Sequence, residues 1–185
     1  MTEEISPDAR TPHGGDHVLE IAKAHGVTHM FTLSGAHVFP MYDAAVKADE
    51  PMPIIDVRHE QTATFAAEAI GKLTRTPGLA VLTAGPGVTN GASAIAQAFY
   101  SGAPMVVVGG RAPAATWGSG TLQEVDHPPI FKSISKHAVT AHTFDSISTV
   151  LDEAFTLAGA AHRGPSFVDI PMDEFFLDGP ITHQS

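Results

Sequence analysis

The sequence contains no cysteine, which excludes disulfide bonds and thiolate-ligated metal sites. Basic residues are scarce, with 10 Lys and Arg against 20 Asp and Glu, and this balance argues against binding of nucleic acid through a basic face. No apolar run approaches the length that crosses a bilayer, so no membrane partner is expected. The first fifteen residues, MTEEISPDARTPHGG, have no apolar core of the secretory type, so we expect a cytoplasmic location.

The remaining composition is that of one globular domain. The chain has 185 residues, of which 43% are hydrophobic and 16% are charged, whereas a disordered chain would be more charged and less aliphatic. A chain of this length buries a sizeable core. We predict a flexible tail at residues 1–13, one domain at 14–176, and a tail or the start of an interdomain linker at 177–185.

Apolar segments with strand character alternate with segments of helical spacing. Strands are predicted at 28–33, 53–57, 79–83, 105–108, 137–142 and 167–171, and helices at 17–25, 38–48, 59–73, 88–100 and 144–161, with a long loop at 117–129. Strands that are apolar on both faces and separated by helices predict an α/β fold. The expected architecture is three-layer and doubly wound, with a mainly parallel sheet and helices on both faces. Ligands of such sheets bind beyond the carboxyl ends of the strands, which directs attention to the loops at 34–37, 58–61 and 84–90.

The first polar motif lies where the second strand gives way to a helix, at residues 56–61. A glutamate at position 60 is in the first helical turn, where a carboxylate stabilises the helix dipole by about 0.3–1 kcal/mol without any other role. The His59-Glu60 pair also begins an HExxH zinc motif, but position 63, where the second histidine belongs, is Ala63. A zinc protease is therefore excluded.

The second motif is the glycine-rich turn at residues 83–91, TAGPGVTNG. Its glycines permit a tight turn close to a ligand, and the helix that follows offers free N–H groups. The pattern is near a dinucleotide fingerprint, but Asn90 occupies the third glycine position, and Arg111 stands where a ribose-binding acid belongs, which would suit NADP. A plain turn without ligand is the other interpretation. A third segment, at 118–126, is either a functional loop or a solvated connection.

Taken in order, the motifs resemble one known family. They are Phe31-Thr32-Leu33-Ser34-Gly35, Arg58-His59-Glu60-Gln61-Thr62-Ala63 with Ala66-Ala67-Glu68-Ala69, the turn at 83–91, Leu122-Gln123-Glu124-Val125-Asp126, and Gly164-Pro165 before Val168-Asp169-Ile170-Pro171. The series resembles the N-terminal, pyrimidine-binding domain of acetolactate synthases and related thiamine-diphosphate enzymes. The resemblance covers residues 17–175. It implies an enzyme that condenses two 2-keto acids, such as pyruvate, with loss of carbon dioxide.

The resemblance also implies roles for particular residues. Glu60 would hydrogen-bond N1′ of the cofactor's aminopyrimidine and share a proton with it, and Gln123 would lie near the reacting centre, so these two are the expected catalytic residues. The expected wall of the pyrimidine pocket consists of Gly85, Pro86 and Asn90. The residues expected on the substrate side are Ser34, Gly35, Ala36, His37 and Lys136. No residue of this chain is expected to bind metal.

The family pattern for magnesium and diphosphate, Gly-Asp-Gly followed by Asn, does not occur in this sequence. A separate diphosphate-binding domain, in the same or another chain, is therefore the expected partner, within a homodimer or homotetramer, and FAD is a further possible cofactor. The chain alone is expected to be inactive. Alanine-rich helices at 62–70 and 91–100 are candidate pairing faces, since small residues permit close packing.

Three alternatives remain beside this interpretation. The chain can be a subunit of a split 2-keto acid decarboxylase, or a homologue that keeps the fold for assembly without catalysis. The presence of Glu60 argues against the second of these. An NADP-binding Rossmann domain is disfavoured because the glycine pattern follows the third strand.

Overall fold

The computed structural model describes residues 10–181, which form a parallel sheet covered by helices. The strands are β1 Met30–Thr32, β2 Ile54–Asp56, β3 Gly78–Leu82, β4 Met105–Arg111, β5 His137–Thr140 and β6 Pro165–Pro171. The helices are α1 Gly14–Ala24, α2 Phe39–Lys47, α3 Glu60–Thr74, α4 Pro86–Asn90, α5 Ala92–Ser101, α6 Pro128–Phe131, α7 Ile147–Gly159 and α8 Met172–Phe175. Short 3-10 turns lie at Ala36–Val38, Ala114–Thr116 and Phe144–Ser146.

The six strands lie in the order β2-β1-β3-β4-β6-β5, and every neighbouring pair is parallel. From β1 the chain adds β2 on one side and then β3, β4 and the remaining strands on the other, so the predicted doubly wound α/β fold is confirmed. The sheet is parallel throughout rather than mainly parallel. Because the strands run in one direction, the loops after them meet at a single edge.

The central strands divide their side chains between two hydrophobic cores. Leu79 and Val81 of β3 pack into the core formed with α1, α2 and α7, whereas Ala80 and Leu82 pack into the core formed with α3, α5 and α6. Successive strand residues point to opposite faces of a sheet, so a strand buried on both sides is apolar at most of its positions. The continuous apolar runs in the sequence therefore have a direct structural cause.

The largest differences from the predicted bounds concern one helix and one strand. The single helix predicted at 88–100 is two helices, α4 and α5, which meet at Gly91, where a Cβ atom would lie 2.9 Å from both Leu82 and Thr64. Strand β4 continues through Gly109 and Gly110 to Arg111, because these residues pair with Asp169, Ile170 and Pro171 of β6. Helix α8 follows directly after β6 and was not predicted.

Both ends of the described chain lie together beside α1. The predicted tail at 1–13 is described only from residue 10, and the predicted linker at 177–185 only to residue 181. The His13 side chain caps α1 and accepts a hydrogen bond from the Gly15 amide. The Gly179 amide donates to the Pro12 carbonyl at 2.8 Å. The domain bounds stay predictions. No helix among the described residues is long and apolar enough to cross a bilayer.

Candidate active site

The site is built at the carboxyl edge of the sheet, from the loops that follow β1, β2, β3 and β4. All nine predicted site residues other than Lys136, counting Ser34 among them, lie in these loops or in the helices that directly follow them. Their side chains come from segments far apart in sequence, and the parallel sheet brings them to one edge. The geometry of each loop shows how closely they meet.

Glu60 is the first residue of α3 and its side chain is held by Asn90. The His59 ring caps the helix by accepting the Gln61 amide at 3.1 Å, which fixes where α3 begins. Glu60 is only 8% exposed, and Asn90 Nδ2 donates to Glu60 Oε2 at 2.9 Å. A Cβ atom at Gly87 would lie 3.3 Å from Oε1, so the second carboxylate oxygen faces the glycine turn. The structure thus joins the two motifs that the sequence presented separately.

Residues 84–87 form a type II′ turn that leads into α4. The Gly87 amide donates to the Ala84 carbonyl at 3.2 Å, and Gly85 has φ 57° and ψ −120°. This position of the turn requires glycine, while Pro86 supplies the restricted φ of the next position and the first residue of the helix. A Cβ atom at Gly85 would also lie 2.9 Å from Gln123 Cβ. The turn and the Gln123 loop are therefore in contact.

Gln123 holds a backbone conformation that is uncommon for residues other than glycine. Its φ is 60°, in the left-handed region. No hydrogen bond joins the Gln123 side chain to any of residues 10–181, so the strain is not offset by a side-chain bond within the described chain. Strain of this kind is concentrated at functional sites, where the surrounding structure enforces it.

The loop that contains Gln123 is fastened at both ends. The Arg111 guanidinium donates to Asp126 at 3.1 Å and lies 3.7 Å from the centre of the Trp117 ring. Near the start of the loop, the amides of Ala114 and Ala115 donate to the Asp173 carboxylate at 2.8 and 3.0 Å. These contacts fasten the loop after β4 to the end of β4 and to α8.

The loop after β1 places His37 beside the end of β3. His37 is buried, and its Nδ1 lies 3.3 Å from Thr83 Oγ1. Burial lowers the pKa of His37, and the nearby His127 acts in the same direction against the opposing hydrogen bond to the Leu122 carbonyl. Gly35 approaches Thr83 so closely that a Cβ atom would collide with it, whereas Ala36 is exposed.

Lys136 lies at the opposite edge of the sheet from Glu60. Its amide donates to the Pro165 carbonyl at the start of β6, and its ammonium group donates to the carbonyls of Leu157 and Ala160 at the end of α7. Burial lowers the pKa of Lys136. Within this chain, the structure does not bring Lys136 together with the other predicted site residues.

Two buried residues beneath the glycine turn were not selected from the sequence. His127 and Asp169 have no exposed surface, and they are joined by a 2.8 Å hydrogen bond. Arg111, which the sequence offered as a binder of a 2′-phosphate, donates to Asp169 at 2.9 Å and is itself buried. The available signal was Asp169, a charged residue inside an apolar strand.

These features define a class of protein, an α/β domain that presents a fixed carboxylate beside a glycine turn. The family described as "Thiamine pyrophosphate enzyme, N-terminal TPP binding domain" matches residues 12–130, which is more than half of the chain. The chain belongs to this family, and the predicted family is confirmed. The buried Arg111 leaves the NADP interpretation without its phosphate-binding residue.

The relatives carry more specific names. The chain is 47% identical over 176 residues to the acetolactate synthase large subunit IlvG of Mycobacterium tuberculosis. The aligned residues cover 95% of this chain and 32% of that protein. It is 37% identical over 175 residues to 2-hydroxyacyl-CoA lyase 2 of Danio rerio. Here the aligned residues cover 95% of this chain and 27% of that protein. The human 2-hydroxyacyl-CoA lyase 2 is also 37% identical, over 168 residues. The chain spans about a third or less of the length of these relatives.

Residues 10–181 contain no group of three or more histidine, aspartate or glutamate side chains arranged to hold a metal ion. The polar groups at the site are the Glu60 carboxylate, the carboxamides of Asn90 and Gln123 and the backbone of the glycine turn. That set suits a planar nitrogen heterocycle, which needs a few directed hydrogen bonds and a close backbone wall.

Proposed function

We propose that the chain is the pyrimidine-binding domain of a thiamine-diphosphate enzyme that condenses two 2-keto acids with decarboxylation, as an acetolactate synthase does. The observation that carries the proposal is the buried Glu60 carboxylate, held at Oε2 by Asn90 and directed at Oε1 toward the glycine turn. Family membership and the 47% identity to mycobacterial proteins named as acetolactate synthases support it.

The residues of the site fit the aminopyrimidine end of the cofactor. Glu60 Oε1 is placed to share a proton with a ring nitrogen, while Asn90 keeps the carboxylate from rotating. Gly85, Pro86 and Asn90 form the proposed wall of the pocket, where the turn brings backbone rather than side chain to the ring face. When bound, the cofactor supplies the electron sink for decarboxylation and carbon–carbon bond formation. The chain supplies position and the proton-sharing group.

The substrate side is assigned to the loop after β1 and to Gln123. Gly35 packs directly against Thr83, the neighbouring Ala36 is small and exposed, and the buried His37 presents an imidazole whose lowered pKa favours its neutral form. The Gln123 carboxamide makes no hydrogen bond to residues 10–181 and is therefore available to a 2-keto acid such as pyruvate. Lys136 can reach such a substrate only in an assembly, because it lies at the other edge of this sheet.

The rest of the active site must come from another domain. Magnesium and the diphosphate are proposed to bind a diphosphate-binding domain of the same or another chain, in a homodimer or homotetramer located in the cytoplasm. The outer surfaces of α3 and α5 support a pairing role, because they expose large apolar side chains whose burial against a partner would be favourable. These side chains are Phe65, Leu73, Phe99 and Tyr100. FAD stays a prediction, which the visible absorption spectrum of the purified protein tests.

The central test is Glu60→Gln in the complete enzyme, which keeps the size of the side chain and removes the carboxylate. We expect turnover of pyruvate to acetolactate to fall by about 10²–10⁴-fold, the usual contribution of positioned acid–base catalysis. The matched control is Glu153→Gln on the exposed face of α7, which should keep full turnover. Unchanged turnover in Glu60→Gln, with cofactor bound, would contradict the proposed role.

A second candidate activity is 2-hydroxyacyl-CoA cleavage, which is favoured by the 37% identity to proteins named as 2-hydroxyacyl-CoA lyases. Both activities use the same cofactor end and the same Glu60. Comparing turnover of pyruvate with cleavage of a 2-hydroxyacyl-CoA by one preparation separates them. The mass of the native polypeptide in source cells separates a complete enzyme from a split one, since a two-chain enzyme would show a band at 19.4 kDa.

A further inference from the structure

Beneath the glycine turn lies a buried network of hydrogen-bonded polar side chains that the proposed chemistry does not use. The Gly85 amide donates to His127 Nε2 at 3.0 Å, and His127 Nδ1 lies 2.8 Å from Asp169 Oδ2. The same carboxylate oxygen accepts from Arg111 Nη1 at 2.9 Å. His127 and Asp169 are completely buried, and the His127 ring lies edge-on to Phe167.

The hydrogen bonds fix the form of the His127 ring. A backbone N–H can only donate, so Nε2 must be the acceptor and cannot bear a proton. Nδ1 then bears the single ring proton and donates it to Asp169. Asp169 keeps its own negative charge paired with Arg111. The network therefore requires a neutral imidazole with one defined tautomer, and the carboxylate selects that tautomer.

The same network restrains the peptide group between Ala84 and Gly85 at both ends. Its carbonyl oxygen accepts the Gly87 amide at 3.2 Å, which closes the II′ turn, and its N–H is taken by His127. A turn with one cross-turn hydrogen bond is easily distorted, whereas a peptide held on both sides cannot rotate without breaking a buried bond. The position of the turn relative to Glu60 thus depends on a residue 42 positions further along the chain.

We propose that His127 is a positioning residue for the cofactor: its Nε2 atom holds the Gly85 peptide in the orientation that forms the pyrimidine wall, and Asp169 holds His127 in the tautomer that accepts. The proposal rests on the proposed function, because it assigns to the turn the task of facing the aminopyrimidine. It predicts that loss of the acceptor loosens the turn and weakens cofactor binding, even though His127 touches neither cofactor nor substrate.

Two substitutions at position 127 separate the two ring nitrogens. His127→Gln places a carbonyl oxygen near the former Nε2 and can still accept from Gly85. His127→Asn places its polar group near the former Nδ1, so it can bond Asp169 but leaves the Gly85 amide without an acceptor. Both are smaller than histidine, and Asp169 keeps its bond from Arg111 in each. A loss that depends only on packing would also be larger in His127→Asn, because asparagine leaves a void larger by one methylene. His127→Met is therefore the packing control, since it has about the size of glutamine and no oxygen that can accept from the Gly85 amide.

The experiment uses the complete enzyme and three measurements. Hydrogen exchange of the Gly85 amide in the cofactor-free protein reports the turn itself. Calorimetric titration with thiamine diphosphate and magnesium gives the cofactor Kd, and steady-state kinetics gives kcat at saturating cofactor. We expect His127→Asn to exchange the Gly85 amide about tenfold faster and to raise the cofactor Kd about tenfold, as loss of one buried hydrogen bond does. His127→Gln should stay within about threefold of the wild type in both.

Each outcome decides the proposal. Wild-type exchange and Kd in His127→Asn would overturn it, as would equal losses in His127→Gln and His127→Met, which would indicate packing alone. If His127→Asn does not fold, His127→Met takes its place, because it fills the volume without an acceptor. A wild-type enzyme that fails to bind thiamine diphosphate would defeat the proposed function instead; rapid Gly85 exchange in His127→Asn would then still support the clamp on the turn and leave only its purpose refuted.

Discussion

Replacing Gln123 with glycine should make the protein more stable and less active. The left-handed conformation at φ 60° costs a residue other than glycine about 1–2 kcal/mol. Substitution by glycine removes this cost, but it also costs about 0.5–1 kcal/mol because glycine makes the unfolded chain more flexible. The Gln123 side chain makes no hydrogen bond to residues 10–181 that would be lost. The expected net gain in the free energy of unfolding is therefore up to about 1.5 kcal/mol.

Arg75 is the matched control for this experiment. It has φ 67° at the end of α3, where its amide donates to Gly71, and it lies on the surface. Arg75→Gly should give a similar gain, since glycine is the preferred residue at such helix ends. Urea unfolding of the 185-residue chain measures both gains, and steady-state kinetics of the complete enzyme measures their effect on turnover. We expect turnover to fall only in Gln123→Gly.

Two results would refute this reasoning. If Gln123→Gly lowered the free energy of unfolding while Arg75→Gly raised it, Gln123 would be retained for packing and not for function. If Gln123→Gly were more stable and equally active, the strained backbone would have no catalytic purpose. A gain in stability with a loss in turnover is the pattern expected where strain serves an active site.

Two further predictions concern the same site. Gly85→Ala should destabilise the chain by more than Gly118→Ala: both glycines have positive φ, 57° and 88°, but a Cβ at Gly85 would lie 2.9 Å from Gln123 while one at Gly118 would meet nothing within 4 Å. Equal losses in urea unfolding would show that the contact with Gln123 is unimportant. Because burial lowers the pKa of His37, the unfolded chain takes up a proton there that the folded chain does not, so stability should fall as pH drops through about 6.5. His37→Gln should reduce this slope, and an unchanged slope between about pH 5 and 7.5 would contradict the assignment.

Much of the fold was predictable because a strand that is buried on both faces has a continuous apolar sequence. Val106, Val107 and Val108 are apolar in succession because alternate members enter different cores. The bounds of β4 were not predictable from local preference, since two glycines follow the valines. Pairing with β6 extends the strand through them to Arg111. Likewise, Gly91 divides the predicted helix because its backbone lies against Leu82 and Thr64, which are distant in sequence.

The candidate site, too, was predictable from the sequence only in part. Position 60 and the turn at 84–87 carry local signals, a carboxylate at a helix start and glycines before a helix. Lys136 was grouped with them by resemblance, yet β5 and β6 place it at the other edge within this chain. His127 gave no signal at all, because a histidine in a polar loop is indistinguishable from a surface residue until its partners are known.

By itself, the sequence determined the parallel α/β architecture and the family, and it predicted the edge of the candidate site, because these depend on local periodicity and on motifs that are contiguous in the chain. Only the tertiary structure decided that Asn90 holds Glu60 and that Gln123 is strained against Gly85. It alone placed His127 and Asp169 beneath the turn. These are contacts between segments tens of residues apart, and their geometry is set by strand order and by the packing of loops, which no local pattern records.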